Sequence, residues 1–130
     1  MQISPYTAFF HDGSILNIKK EKNKIEIYME SAEISQDDLD KQIALSKEET
    51  IKGILHFEEI KQIKINDEIR NNLKMLGDSG EILELKIKMG EVNLFIEWVN
   101  YSSNPPKEKY MEIKIIADKM SWENLANKAP

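Results

Sequence analysis

A histidine beside a carboxylate is the first place in this chain where side-chain types could do chemistry. In Phe9-Phe10-His11-Asp12-Gly13-Ser14 the imidazole could act as a general base or metal ligand, with Asp12 close by. Either role requires both groups to reach one atom. Neighbours along an extended chain point to opposite faces, so the pair does not converge unaided. The same letters also spell a turn. In that reading Asp12 accepts from backbone N–H groups two residues on, Gly13 relaxes the geometry and His11 bonds locally beside Phe10. His11 and Asp12 therefore stand as a possible polar site whose plainer alternative is the bend before a first strand.

His56, in Ile54-Leu55-His56-Phe57, is the second of two histidines and falls opposite the apolar Leu55 and Phe57. No HxH or HExxH spacing exists, so nothing in the pattern ties the histidines to one metal. The acidic stretch 30–40 also lacks the alternate ligands, central glycine and closing glutamate of a calcium loop. With no cysteine there is neither a thiolate site nor a disulfide. Neither GxSxG nor SxxK occurs, and the five glycines are scattered instead of forming a phosphate loop. The expectation is a protein without a cofactor or metal, acting by binding and not by catalysis.

Candidate contact residues are of two kinds. Glu30, Glu33, Asp37, Asp38 and Asp40 crowd one short stretch, ESAEISQDDLD, whose field could steer a basic protein partner. The competing reading is a solvated connection whose carboxylates favour a helix N-terminus. Tyr101 and Tyr110 flank the loop Ser102-Ser103-Asn104-Pro105-Pro106 and could form an aromatic-rimmed contact or simply anchor it. Trp98 shares the phase of Leu94 and Ile96 and is read as core. Trp122 is read as a half-buried ring closing the end of the sheet.

The formal net charge is −5, and Arg70 is the only arginine among 18 basic residues. The lysines alternate with glutamates, and a chain nearly without guanidinium groups is poorly equipped to grip phosphate or guanine edges. Nucleic acid is thus not an expected partner. No window approaches the roughly 18 apolar residues of a membrane helix. The opening residues lack the basic start and apolar run of a signal peptide, and a cysteine-free chain suits a reducing compartment. The expected location is cytoplasmic.

Positioning any of these groups falls to strands, because period-two alternation dominates. Ile25, Ile27 and Met29 share one face. Leu83, Leu85, Ile87 and Met89 share another, and Val92, Leu94, Ile96 and Trp98 a third, with Met89-Gly90-Glu91 turning between the last two runs. Met111, Ile113, Ile115 and Ala117 form a further inward set. An opening strand spans 15–20 and turns at Lys22-Asn23. The middle holds two shorter runs, one through Ile51, Gly53, Leu55 and Phe57 and one through Ile63 and Ile65. Asp78-Ser79-Gly80 reads as a turn. Ser35-Gln36-Asp37-Asp38 resembles a capping box for a helix of at most about two turns. Residues 66–76 hold a second short helix or a loop.

Seven or eight strands with tight turns and no crossover helix predict a mainly β, single-domain antiparallel sheet over residues 1–130. It is meander-like, a sandwich or a partly open barrel, with at most one or two short helices. Phe10-His11-Asp12-Gly13 running into a strand, followed later by Leu94-Phe95-Ile96-Glu97-Trp98, resembles small uncharacterised bacterial β-domains. Some of those are immunity proteins of polymorphic-toxin systems, and the resemblance implies stoichiometric binding of a partner. Two alternatives remain. One is a self-associating module, a homodimer through an edge strand or the proline loop. The other is a small barrel for an apolar ligand, against which large inward side chains argue for a filled interior.

Overall fold

Apolar–polar alternation becomes seven strands among the described residues, which are 3–35, 43–99 and 110–125 of a computed structural model. β1 (Ser14–Glu21), β2 (Lys24–Glu30) and β3 (Lys52–Ile65) form one antiparallel meander; β5 (Ser79–Lys88), β6 (Glu91–Val99) and β7 (Tyr110–Asn124) form another. β3 pairs with β7 from Gly53↔Asn124 to Ile65↔Ile113, and β1 meets β5 at Ser14↔Glu81 and Ile15↔Gly80. The two meanders thereby close into a six-strand barrel, which removes most of the edge an open sheet would expose. β4 (Glu68–Arg70) hangs from the end of β3 as a short arm.

Inward positions follow the period-two reading closely on β2, β6 and β7. Ile25, Ile27 and Met29 are buried, as are Val92, Leu94, Ile96 and Trp98, and Met111, Ile113, Ile115 and Ala117. On β5 the expected face needs correcting. A bulge between Ile82 and Glu84 shifts the phase, so Ile82 is buried inside the barrel instead of Leu83, and Leu85 follows. Met89 lies at the hairpin tip and is fully exposed at 102%. The two middle runs are one 14-residue strand. Glu59, at φ +54°, and a register shift between Ile60 and Gln62 carry it past Glu58-Glu59, where the alternation breaks.

No helix forms over 66–76. Asn66 and Asp67 both take positive φ, 50° and 68°, and make a two-residue turn between Ile65 and Glu68. Asn and Asp tolerate that region better than other L residues, and two such residues in a row favour a hairpin over a helix start. β5 already begins at Ser79, which moves the expected turn at Asp78-Ser79-Gly80 upstream. A 3-10 helix at Ser4–Phe10, not anticipated from the sequence, buries Tyr6 and Phe10. Phe10 meets Trp122 edge-on, with ring centroids 5.8 Å apart and planes at 76°. Trp122 is buried, more deeply than expected. The capping box continues into residues outside the described ones, as do most of the proline loop's neighbours, Tyr101 included.

Candidate functional site

The His11–Asp12 pair sits at a corner. Phe10-His11-Asp12-Gly13 is a tight turn closed by the Gly13 N–H on the Phe10 carbonyl at 2.8 Å. His11 has φ −59° and ψ 129°, and Asp12 takes φ +67°, which fits a type II turn. It is Asp12, not Gly13, that carries the positive φ. Gly13 is needed for close approach, because a Cβ there would strike the Glu30 carbonyl. Asp12 works through its backbone, donating its N–H to the Ile82 carbonyl at 2.8 Å. The side chains do not point apart, since a corner gathers neighbours that an extended chain separates: His11 Nε2 and Asp12 Oδ1 are 3.7 Å apart, both well exposed.

His11 Nδ1 lies 2.7 Å from the Leu83 carbonyl oxygen, so this nitrogen carries the proton and donates. Leu83 is the extra residue of the β5 bulge, where a carbonyl leaves the regular ladder. His11 thus ties the turn to the bulge. His11→Ala is expected to lower stability by about 0.5–1.5 kcal/mol, the usual worth of one hydrogen bond, as a shifted urea midpoint.

His56 stands on the outer wall, as its phase implies, between two carboxylates brought over by neighbouring strands. Its Nε2 is 2.8 Å from Glu123 on β7 and its Nδ1 3.8 Å from Glu26 on β2. Tyr28 donates to the other Glu26 oxygen at 3.2 Å, and Lys19 lies 5.1 Å from the Tyr28 ring centroid. Both imidazole nitrogens therefore face carboxylates. The two histidines share no partner, and among the described residues no three His, Asp or Glu side chains are grouped to hold a metal ion.

The acidic stretch divides. Glu30 accepts from Thr50 Oγ1 at 2.7 Å, and Thr50 in turn meets Ser46 Oγ at 2.6 Å. Ser31 Oγ accepts from the Ile51 N–H at 2.8 Å. Ser31, Ser46 and Thr50 are buried, so Glu30 belongs to a polar clasp pinning the connection after β2 to the start of β3. Glu33 is exposed. Asp37, Asp38 and Asp40 lie outside the described residues.

Tyr110 is exposed, and it stacks on a residue the sequence reading passed over. The rings of Phe95 and Tyr110 are 6.2 Å apart with planes at 14°, on the outside of β6 and β7. Their exposures, 37% and 52%, are high for aromatic rings on a strand wall. Cross-strand register surrounds them with carboxylates: Glu84 and Glu112 flank Phe95 on either side, while Glu97 pairs with Tyr110 and with Glu81. The next positions along the same wall are Lys86, Asn93 and Lys114, and then Lys88 and Glu91.

Lys114 bonds Glu91 at 3.0 Å, and that hydrogen bond holds the Glu91 carboxyl below its ordinary 4.5; burial opposes it as the next-largest influence, and the nearby charge of Lys114, then Asn93 and Lys88, add to the lowering. A carboxylate whose folded value lies below its unfolded one contributes stability that is complete above the unfolded value and disappears as pH falls through the folded one. Lys114→Met is expected to lower the thermal midpoint near neutrality, where that contribution is complete, and the deficit is expected to shrink as pH falls below 4.5.

At one end of the barrel an apolar depression of about 340 Å³ opens between Ile3, Leu55, Ile87, Met120 and Trp122. No family model, curated protein or solved structure matches the chain.

Proposed function

We propose that the protein is a non-catalytic binding module that meets a basic protein partner through its outer wall. What supports this most is how the interior is used. Trp98, Phe10, Phe57, Ile27, Met29 and Ile96 are buried in one continuous cluster. Side chains fill the space where a ligand barrel would leave a chamber, so recognition falls to the exterior. The formal net charge of −5 favours approach of a basic protein. Stoichiometric inhibition, the role implied by the resemblance to immunity proteins, is one form such binding takes. Binding of a small apolar ligand has a foothold only in the depression beside Trp122.

Used as bait against its host's proteins, the tagged chain is expected to retain one basic protein at near-stoichiometric ratio, less of it as salt rises. Repeated captures that return the bait alone contradict the reading.

A further inference from the structure

We infer that the partner is gripped by arginine side chains laid on the Phe95–Tyr110 pair of the β5–β6–β7 wall. This inference rests on the binding role proposed above and names the face and the chemistry it takes. Strand positions facing water are usually polar, yet here two aromatic rings stack with their outer surfaces open. Carboxylates stand on both sides of Phe95 and beside Tyr110. Glu84 is held by Lys86 at 3.0 Å, whereas Glu81 and Glu112 join no ion pair among the described residues.

That combination fits one cation better than others. A guanidinium is flat and weakly hydrated, so it can stack on an aromatic face while its edge N–H groups reach carboxylates. A lysine ammonium is compact and strongly hydrated, and gains less from the rings. Polyphosphate backbones would meet repulsion from Glu81, Glu84 and Glu112. The row Lys86, Asn93 and Lys114 bounds the face on its other side and leaves a depression of about 480 Å³ against Phe95, Glu84 and Glu112. Lys86 and Lys114 on that row are already paired with Glu84 and Glu91, so the carboxylates without an ion pair among the described residues, Glu81 and Glu112, lie on the ring side of it.

The test is a titration of the intact protein with a hexa-arginine peptide, followed by amide and aromatic NMR, beside hexa-lysine and hexa-citrulline peptides. Hexa-arginine is expected to shift Phe95, Tyr110 and Glu112, hexa-lysine to bind several-fold more weakly, and the uncharged citrulline peptide to leave the spectrum unchanged. Phe95→Thr with Tyr110→Thr should weaken arginine binding about tenfold. Glu81→Gln with Glu112→Gln, which leaves the rings in place, should weaken it several-fold. Shifts that map instead to the surface around Glu33, no shifts with arginine, or equal affinity for arginine and lysine overturn the assignment of this face and cation. Capture of a basic protein alongside any of those results leaves the binding role standing, and failure of capture alone removes it.

Discussion

Replacing Gly53 by alanine is expected to lower stability by about 3 kcal/mol or more, at the upper end of what overpacking costs. The reason is local and rigid. A Cβ at Gly53 would strike the Glu123 carbonyl and stand 2.5 Å from Cζ2 of the Trp122 ring. Neither neighbour can yield easily. The carbonyl belongs to β7, and the ring is buried against Phe10. Gly53 also opens the longest seam of the barrel, pairing with Asn124 on β7 and with Met29 on β2. Pushing β7 away there would loosen the join between the two meanders, so urea unfolding should show a lower midpoint. An unfolding free energy within about a few tenths of a kcal/mol of the parent's would mean that the strands are not this close.

Phe10→Ala should cost about 3–5 kcal/mol, the range for removing a buried phenylalanine. Phe10 is among the largest fully buried side chains, and its ring supports the indole of Trp122. It also ends the 3-10 helix, and its carbonyl closes the turn at His11 and Asp12. A cavity at this point would expose Trp122 to water while leaving Trp98, on β6, in its own packing. Besides a lower urea midpoint, tryptophan emission should move partly to the red. A cost below about 1 kcal/mol would show that the N-terminal segment packs only loosely on the barrel. Natural domains rest on a margin of about 5–15 kcal/mol, so either substitution removes a large fraction of it.

Much of the barrel was legible because burial on one face writes a period of two into the letters. Val92, Leu94, Ile96 and Trp98 could be placed inside from spacing alone, and so could Met111, Ile113, Ile115 and Ala117. The misreadings cluster where the period breaks. At Leu83 an extra residue slips the phase of β5, and the slip depends on pairing with β6, which local sequence does not record. At Glu58-Glu59 a single strand looked like two. Of the short helix or loop read over 66–76, the helix gave way to Asn66 and Asp67 in left-handed geometry, a preference present in the sequence as turn chemistry.

The candidate contact face was half visible. Phe95 falls between Leu94 and Ile96, so its outward phase could have marked it as an aromatic ring on the wet side of a strand. Its stacking on Tyr110, and the placing of Glu84 and Glu112 beside it, come from cross-strand register. Register joins positions far apart in the chain and cannot be read from either run alone. For the same reason His56 looked solitary, although β2 and β7 bring Glu26 and Glu123 to it.

The most direct check on the whole account is an aromatic and methyl NMR comparison of the protein alone with its complex with the captured partner. An exterior binding wall predicts changes at Phe95 and Tyr110, with Phe57, Ile27 and Trp98 signals unmoved. Large changes at Trp98 and Phe57, with Phe95 and Tyr110 unaffected, would mean that the inside of the barrel is what the partner reaches, and would contradict it.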